Sequence, residues 1–337
     1  MRRDLVVIGA SSGGIGALQT IVAGLPADLP ASICIVLHIA PDSPGVLHQI
    51  LARAGRLPAC VVRFTERIRP ATVYLPMPDH HLIVEPSLLR ASRGPRENRF
   101  RPAIDVLFRS AAQVYGPRVI GVILTGGLDD GTAGLWAVKR LGGIAVVQDP
   151  DDALVDAMPR NALEHVTPDH CLPLVEIPAL LRRLVAENIA EASGYAVPDA
   201  MRIEVDVAAA ASGRRAGVEN LGPPSRYACP ECHGVLFEIE EGMRSRFRCH
   251  TGHAYSLETL LDEYDQRIKE SLWNAVRGMQ EQVMLLRQFA GHVRERHDAL
   301  RAERYGRRAD RVERPGEQVQ RLLGGNDEND ARRKADV

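Results

Sequence analysis

The segment LVVIGASSGG at residues 5–14 constrains the fold of this chain most strongly. Its β-favouring apolar residues predict a buried strand. The Gly/Ser cluster, followed by Ile15, Leu18, Ile21 and Val22, predicts a turn that opens a helix. A helix N-terminus offers unpaired backbone N–H groups and the positive end of the helix dipole. The turn therefore suits a phosphate group or the oxyanion of an acyl-transfer intermediate.

Three interpretations of this turn remain open from its residues alone. Gly9-Ala10-Ser11-Ser12-Gly13 fits G-x-S-x-G, the strained strand-to-helix turn that exposes a nucleophilic serine. The same residues are also similar to the glycine-rich turn of nicotinamide-dependent dehydrogenases. A glycine-rich turn without chemistry is the third interpretation, so residues elsewhere in the chain have to decide.

Strand-like and helical patterns alternate over residues 1–188, which predicts a doubly wound α/β fold with a mostly parallel sheet and helices on both faces. The predicted strands are 5–10, 32–39, 59–64, 72–75, 82–86, 118–124 and 143–148. The predicted helices are 14–24, 43–55, 102–115, 130–141, 159–165 and 176–188. Residues 67–101 break the alternation because Pro70, Pro76, Pro78 and Pro86 accompany two short apolar runs, so we expect an antiparallel hairpin at the sheet edge.

Four further segments are expected after the α/β domain at 1–188. Residues 189–225 are rich in Ala, Gly, Ser and Pro and predict a linker, in which only 201–207 has an ordered pattern. A small Cys-rich module occupies 226–255, and helical sequence follows at 256–323. The polar tail at 324–337 is expected to be disordered.

The helical sequence is predicted to run from Leu257 to about Arg311. Apolar residues recur every three or four positions between Leu261 and Val293. This spacing allows a coiled coil or a two-helix pack, and it suits self-association or a partner helix. A single amphipathic helix that docks on its own chain explains the pattern equally well, because the charges at the flanking positions form no clear order.

Composition excludes several function classes. The chain is 45% apolar and 25% charged, with a formal net charge of −1, so we expect no nucleic-acid partner. No run of about 18 apolar residues is present, which predicts no direct membrane insertion. Only four residues precede the first predicted strand, leaving no room for a signal peptide. We therefore expect a cytoplasmic protein.

Two strand ends supply candidate partners for Ser11. One predicted strand ends on His38, and another ends in the loop Thr125-Gly126-Gly127-Leu128-Asp129-Asp130-Gly131. Chemistry in parallel α/β sheets gathers at the carboxyl ends of the strands. Ser11, His38 and Asp130 therefore form a candidate nucleophile, base and orienting carboxylate.

The order Ser11, His38, Asp130 differs from the Ser, Asp, His order of α/β-hydrolases, which disfavours an ordinary lipase or esterase. The dehydrogenase interpretation also weakens, because the last glycine of its motif has moved by one place, to Gly16. No tyrosine is followed by lysine four positions later, although short-chain dehydrogenases need that pair.

Several blocks together resemble the catalytic domain of the chemotaxis protein-glutamate methylesterases, the CheB family. They are Gly9-Ala10-Ser11-Ser12-Gly13-Gly14, Leu37-His38, Gly94-Pro95, Arg101-Pro102-Ala103-Ile104-Asp105-Val106-Leu107-Phe108, Leu124-Thr125-Gly126, Asp130-Gly131 and Met158-Pro159-Arg160. The resemblance implies hydrolysis of γ-glutamyl methyl esters on chemoreceptor-type proteins, with deamidation of selected glutamines and no catalytic cofactor. It implies Ser11 as nucleophile, His38 as general base and Asp130 as the residue that orients His38.

Ordinary acyl-transfer chemistry places the oxyanion near the backbone N–H groups of Ser12 and Gly13. Family members often carry threonine and methionine at the positions of Ser12 and Gly127, so Gly127 lacks a side chain that would pack beside the oxyanion. Arg101 is a candidate for the wall of the substrate groove, as is Asn98. An ion pair between Arg101 and Asp105 at the start of the predicted helix is an equally good interpretation. Asp129 is interpreted as a helix N-cap.

Chemotaxis members of the family usually begin with a phosphorylatable receiver domain, and none is expected within this chain. Either the enzyme is ungated or its control comes from the C-terminal half or from a separate protein. A signalling kinase or a methyltransferase is an expected partner. An alternative function is a catalytically weak or inactive methylesterase-like adaptor that binds receptor or kinase helices.

The Cys-rich module has the ligand spacing of a small structural zinc site. Cys229 and Cys232 form a C-x-x-C pair, sixteen residues separate Cys232 from Cys249, and His253 follows Cys249 by four. Three thiolates and an imidazole would close a tetrahedron with no position open for water, so the metal is expected to hold the module together. His250 and His233 remain alternatives for the fourth ligand. Strands are predicted at 235–239 and 246–248.

Overall fold

The computed structural model describes residues 1–190, 195–210, 217–241 and 244–335. Two compact units are present, Met1–Leu260 and Leu261–Val337. In the described residues no helix combines the length and the apolar character needed to cross a bilayer. Because the first unit extends to Leu260, it includes the predicted module at 226–255.

Seven parallel strands form the main sheet, in the order β10-β9-β8-β1-β2-β5-β3. In chain order the strands of this part are β1 Leu5–Ala10, β2 Ser32–Leu37, β3 Ala59–Val62, β4 Thr65–Arg67, β5 Val73–Pro76, β6 His81–Glu85, β7 Leu88–Ser92, β8 Val119–Ile123, β9 Ile144–Gln148 and β10 His170–Leu172. The helices are α1 Gly14–Ala23, α2 Leu47–Ala54, α3 Ile104–Tyr115, α4 Thr132–Arg140, α5 Ala157–His165, α6 Ile177–Ala186 and α7 Asp199–Ala209. The predicted α/β fold is confirmed.

Alternate residues of the central strand β1 enter two separate cores. Leu5 and Val7 pack into the core beneath α3, α4 and α5, whereas Val6 and Ile8 pack into the core beneath α1, α2 and α6. All four side chains are fully buried. Continuous apolar strands are what a parallel sheet covered on both faces requires.

An antiparallel hairpin lies within 67–101 as predicted, but it is formed by β6 and β7 and does not extend the main sheet. The other predicted run, 72–75, is β5 of the main parallel sheet. The hairpin pairs with β4 to form a separate three-stranded sheet, in the order β4-β7-β6. Strands β4 and β7 were not predicted, because neither TER nor LLRAS contains the continuous β-favouring apolar run that marks the other strands.

Helix α7 lies within the stretch predicted to be a linker. Met201 packs into the core beneath α3, and Ala208 packs against Ile83 and Val106. Val207 packs against residues of the Cys-rich module, including Ile239. The linker interpretation therefore does not describe 199–209. The ordered pattern predicted at 201–207 lies within this helix, whose alanines and valines form a buried face. Residues 191–194 and 211–216 of that stretch lie outside the described residues.

The Cys-rich module is a four-stranded antiparallel sheet in the order β11-β12-β13-β14. Its strands are β11 Pro224–Ala228, β12 Val235–Glu241, β13 Arg244–Cys249 and β14 Ala254–Ser256. The two predicted strands are β12 and β13, which form the central hairpin.

Five buried charged side chains join this module to the α/β part. Glu204 of α7 accepts two 2.8 Å hydrogen bonds from Arg246 and one of 3.0 Å from Arg248. Arg248 also donates to Glu97 at 2.7 Å, and Arg109 donates to the same carboxylate at 2.5 Å. Burial alone would raise the pKa of Glu204, but the nearby arginines hold that pKa well below 4.5.

The second unit is built from two helices, where the sequence predicted continuous helix to about Arg311. Helix α8 runs from Leu257, in the first unit, to Glu295, and α9 from Ala299 to Ala335. Within the second unit, Val283 and Leu286 pack against Ala309, and Arg287 pairs with Glu313 at 2.6 Å. The described residues therefore adopt a two-helix pack, which buries this small cluster, while other apolar side chains of α8, including Ile268 and Phe289, remain exposed.

The tail predicted to be disordered continues α9 as far as Ala335. Extending a helix that has already formed fixes one residue per added hydrogen bond, which costs far less than nucleating a helix. Residues 336 and 337 of the predicted tail lie outside the described residues.

Candidate active site

Ser11 lies at the carboxyl end of β1, in the turn that leads to α1. Its backbone N–H donates to Thr125 O at 3.0 Å, which ties the turn to the loop after β8. Gly13 adopts a left-handed conformation with φ of 78° at the N-cap of α1. A residue with Cβ is strained there, so the glycine lets the turn leave Ser11 at the edge of the sheet.

His38 follows β2 and lies beside Ser11. Its Nδ1 is 3.2 Å from Ser11 Oγ, and its side chain is only 3% exposed. The imidazole ring stacks on Phe100, with ring centroids 3.5 Å apart and planes 6° from parallel. The stacking on Phe100 and the contact with Ser11 Oγ together fix the plane of the imidazole ring.

Asp130 completes the group on the other side of the imidazole. Its Oδ2 is 2.7 Å from His38 Nε2. An ionised carboxylate can only accept hydrogen bonds, so His38 Nε2 carries the hydrogen and donates it to Asp130. His38 Nδ1 then has a lone pair that faces the Ser11 hydroxyl. The structure therefore brings together all three residues predicted from separate strand ends.

Asp130 is buried, and several donors stabilise its charge. Ile104 N donates to Oδ2 at 2.7 Å from the N-terminus of α3, and Asn98 Nδ2 donates to Oδ1 at 2.9 Å. Burial by itself would raise the pKa of Asp130, but the hydrogen bonds from His38, Asn98 and Ile104 lower it. The Asp130 carboxylate is thereby kept ionised.

A second carboxylate, Asp105, shares Asn98 with Asp130. It accepts hydrogen bonds from Asn98 Nδ2 at 2.9 Å and from Gly134 N at 2.6 Å. Burial and the charge of Asp130 raise the pKa of Asp105 to about 7. Because the two shifts have opposite sign, the negative charge of this buried pair is concentrated on Asp130, next to the imidazole.

The predicted oxyanion region lies where β1 and β8 end. Thr125 Oγ1 donates to Ser12 O at 2.9 Å, so the Ser11 turn and the loop after β8 support each other. At Gly126 an added Cβ would lie 2.1 Å from Met158 Sδ and 2.8 Å from Ser11 Cβ, which excludes other residues there. An added Cβ at Gly127 meets nothing within 4 Å, so the space beside the turn is open.

Arg101 lies in the wall of the cleft, but its charge is already paired. Its guanidinium donates to Asp79 Oδ1 through Nε at 2.9 Å and through Nη2 at 2.6 Å, and to Gly94 O at 2.8 Å. The interpretation that Arg101 pairs with Asp105 is wrong, since Asp105 bonds to Asn98 and to α4. Arg101 therefore shapes the cleft through Asp79.

A cleft of about 430 Å³ opens over Ser11 and His38. It is lined by Ser11, Ser12, His38, Ile39, Ala40, Pro41, Arg96, Arg99, Phe100 and Arg101. Phe100 was not predicted, although it lies directly before the Arg101-Pro102 block. Asn98 was expected in the groove wall, but it lies behind the imidazole among buried carboxylates.

Asp129 was expected to cap the N-terminus of a helix. Its carboxylate instead accepts a hydrogen bond from outside the α/β part. Ser256 Oγ donates to Asp129 Oδ1 at 2.8 Å, and Ser256 N donates to Asn98 Oδ1 at 3.1 Å. The sequence around Ser256 contains one usable signal, the S-x-x-T spacing to Thr259. That spacing predicts only a helix start.

Cys229, Cys232, Cys249 and His253 form a cluster whose ligand atoms all lie within 4.8 Å of one another. Cys229 Sγ and Cys249 Sγ are each 3.6 Å from His253 Nδ1, and Cys232 Sγ is 3.6 Å from Cys249 Sγ. Metal–sulfur bonds of about 2.3 Å in a tetrahedron would separate the sulfurs by about 3.8 Å. The donor set can therefore hold a metal ion.

His253 is the fourth member of this cluster, ahead of His250 and His233. Its Nε2 lies 3.2 Å from Glu231 Oε2, leaving Nδ1 to face the thiols. A carboxylate on the outer nitrogen is the usual way to orient a metal-binding imidazole.

Comparisons with known proteins place the α/β part in a family. The model described as CheB methylesterase matches residues 6–181. A Leptospira interrogans protein named putative protein-glutamate methylesterase/protein-glutamine glutaminase is 41% identical over 190 residues, which are 56% of this chain and 98% of that one. An Anaeromyxobacter dehalogenans protein-glutamate methylesterase/protein-glutamine glutaminase is 40% identical over 54% of each chain. The crystal structure of the Thermotoga maritima CheB methylesterase catalytic domain matches with a TM-score of 0.53 and 33% identity, covering 55% of this chain and all of the other.

Proposed function

Because the chain belongs to the CheB methylesterase family, we propose that it hydrolyses γ-glutamyl methyl esters on chemoreceptor-type proteins, with Ser11 as nucleophile, His38 as general base and Asp130 as the orienting carboxylate. The single observation that carries the proposal is the continuous line of contacts from Ser11 Oγ to His38 Nδ1 and from His38 Nε2 to Asp130. The same acyl-transfer chemistry would deamidate glutamine side chains. The receptor helices that carry such esters are cytoplasmic, so the protein would act in that compartment.

In the first half of the reaction, Ser11 Oγ attacks the ester carbonyl carbon while its proton passes to His38 Nδ1. The imidazolium that forms is stabilised by Asp130, whose carboxylate already accepts the Nε2 hydrogen. The C–O bond to the methoxy group then breaks, and His38 returns the proton to the departing methanol. A glutamyl ester of Ser11 remains.

In the second half, water takes the place of methanol. His38 accepts a proton from the water as its oxygen attacks the glutamyl carbonyl, and the proton is returned to Ser11 Oγ as the acyl bond breaks. The product is a receptor carboxylate. The N–H groups of Ser12 and Gly13 would bind the oxyanion in both halves, as a helix N-terminus suits developing negative charge.

The charge of the cleft supports an acidic protein substrate. Arg96 and Arg99 line the cleft around Ser11. A surface helix that carries glutamates beside its methyl ester would be attracted by these cations. An adaptor without turnover would bind the same helices, so the test has to measure chemistry.

Labelling of the nucleophile links the proposed residue to the proposed reaction. A fluorophosphonate, which reacts with activated serines, is expected to modify Ser11, and mass spectrometry of peptides identifies the modified position. Methanol release from methylated receptor membranes should fall in proportion to the labelled fraction. Methanol release that persists in fully labelled protein would contradict the assignment of Ser11, and absence of release from unlabelled protein would contradict the substrate.

We further propose that zinc occupies the Cys229, Cys232, Cys249 and His253 cluster and stabilises the module. The ion would carry no step of the hydrolysis, because the four protein ligands complete its coordination. The short module has few apolar side chains to bury, which is the usual reason for a structural metal.

The Cys229→Ser variant is expected to lose the metal, because serine does not replace a thiolate ligand at neutral pH. Elemental analysis should find about one zinc per chain in the parent and a small fraction of that in the variant. Cys171→Ser is the matched control, since Cys171 is exposed and lies outside the cluster. Unchanged zinc in Cys229→Ser would contradict the site.

A further inference from the structure

The segment that follows the last cluster ligand runs along the loop behind the imidazole. Asn98 N donates to Ala254 O at 2.8 Å, and Ala254 N donates to Arg96 O at 3.2 Å. Strand β14 therefore pairs with residues 96–98. Two residues later in the same loop is Phe100, which stacks on His38. His253 immediately precedes this strand, so the backbone of the Cys-rich module is hydrogen-bonded directly to the loop that carries Asn98 and Phe100.

The side chain of Asn98 is oriented by this segment. Its Oδ1 accepts hydrogen bonds from Ser256 N at 3.1 Å and from Thr259 Oγ1 at 3.3 Å. Its Nδ2 therefore faces the opposite way and donates to both Asp130 and Asp105 at 2.9 Å. If the amide turned over, its oxygen would face two carboxylates, so the donors at 256 and 259 keep the amide in the attractive orientation.

The loop that carries Asp130 is tied to the same segment. Ser256 Oγ donates to Asp129 Oδ1 at 2.8 Å, and Asp129 directly precedes Asp130. Ser256 and Thr259 also cap each other: Thr259 N donates to Ser256 Oγ at 3.0 Å and Ser256 N donates to Thr259 Oγ1 at 2.9 Å. This reciprocal cap fixes both hydroxyls at the first turn of α8.

A second contact holds the residue just before Asn98. Glu97 accepts hydrogen bonds from Arg248 of β13 and from Arg109 of α3, and the Arg248 side chain is fully buried. Asn98 itself has φ of 50° and Arg99 has φ of 74°, a left-handed conformation that side-chain-bearing residues rarely adopt. Such a backbone persists only where surrounding contacts determine it.

From these contacts we propose that Ser256 and Thr259 are positioning residues for the active site: they orient Asn98 and the Asp129–Asp130 loop, and thereby the carboxylate that orients His38. The C-terminal module is then a working part of the hydrolase. This inference rests on the proposed function of Ser11, His38 and Asp130. It assigns a role in that reaction to residues more than one hundred positions away in sequence.

The test compares the double variant Ser256→Ala/Thr259→Val with Thr259→Ser, which keeps both hydroxyls, and with Ser225→Ala. Ser225 lies in the same module, and its hydroxyl accepts a bond from Tyr227 N. For each full-length protein we would measure kcat and KM for methanol release, the rate at which a fluorophosphonate labels Ser11, the zinc content and the unfolding midpoint.

The double variant is expected to lose about tenfold to a hundredfold in kcat and a similar factor in labelling rate, because the imidazole and its carboxylate lose their fixed alignment. KM and zinc content should stay at the parent values. Thr259→Ser and Ser225→Ala should retain the parent kcat and labelling rate. If the double variant is unfolded at the assay temperature, the single Thr259→Val variant carries the same comparison with a smaller loss.

Labelling of Ser11 needs no receptor, so it tests the positioning role of Ser256 and Thr259 separately from the proposed substrate. A parent protein that is labelled at Ser11 but releases no methanol, with slower labelling in the double variant, would support the positioning role and contradict the proposed substrate. Unchanged kcat and labelling rate in a folded double variant would overturn the positioning role and leave the proposed function standing. A parent whose Ser11 is not labelled would overturn both.

Discussion

The Ser11→Ala variant is expected to release methanol from methylated receptor membranes about 10⁴-fold to 10⁶-fold more slowly than the parent protein. Alanine has no oxygen to attack the ester carbonyl, so no acyl intermediate can form. The remaining N–H groups of the turn and the cleft would still bind the ester. They would be the source of any rate enhancement that the variant retains over uncatalysed hydrolysis. Substrate affinity should change little, because Ser11 Oγ contributes chiefly to the transition state.

Methanol release measured over hours on matched amounts of folded protein checks this expectation. Ser225→Ala is the control for loss of a serine hydroxyl elsewhere in the same unit, and it should turn over at the parent rate. Asp130→Asn should be slowed less than Ser11→Ala, because the nucleophile and base survive without their orienting charge. Equal rates for the parent and Ser11→Ala would exclude the hydrolase mechanism and favour an adaptor.

The Glu204→Gln variant is expected to lower the free energy of unfolding of the first unit by about 3 to 5 kcal/mol. Glu204 accepts hydrogen bonds from Arg246 and Arg248, and it lies 3.2 Å from Arg109. All of these side chains are buried, so glutamine would leave three guanidinium charges with Glu97 as their nearest counter-charge. The loss follows from leaving buried charges unpaired, which costs more than the pair itself contributes.

Chemical denaturation at neutral pH measures this loss, with Glu240→Gln as an exposed control in β12 that should change stability little.

The contribution of Glu204 to the free energy of unfolding decreases in acid. The pKa of Glu204 is depressed in the folded chain, so its contribution is complete above about 4.5, its unfolded value, and is lost as the pH falls through the lower folded pKa. The gap between parent and variant should therefore persist at neutral pH and close only in strong acid. A gap that is already small at pH 7 would contradict the assigned role of the cluster.

The positions of Ser11, His38 and Asp130 were predictable because parallel strands impose a simple geometry. Each residue directly follows a run of buried apolar residues, and the carboxyl ends of such strands meet at one edge of the sheet. Strand β1 was predicted with its observed bounds, Leu5–Ala10. The local apolar pattern and the parallel arrangement of the strands were sufficient for this part of the site.

The support of the site was not predictable, because it depends on contacts that no local pattern encodes. Phe100 stacks on His38 through a loop held in left-handed conformations, and Asn98 lies between two carboxylates from different elements. Within the expected linker only 201–207 was predicted to be ordered, because the alanines and valines of helix α7 acquire their partners only in three dimensions. Arg101 lies in the cleft wall, and its partner, Asp79, comes from a turn whose path the sequence does not reveal.

The hydrogen bond from Ser256 to Asn98 closes a loop of 158 residues, and that from Thr259 closes one of 161. In folding, the entropy lost on closing such long loops has to be offset before these contacts become favourable, and contacts of high sequence separation form late. The parallel sheet can assemble around β1 while Asn98 still lacks its donors. An ordered active site is therefore expected to be among the last features to appear as the chain folds, after the C-terminal module has docked.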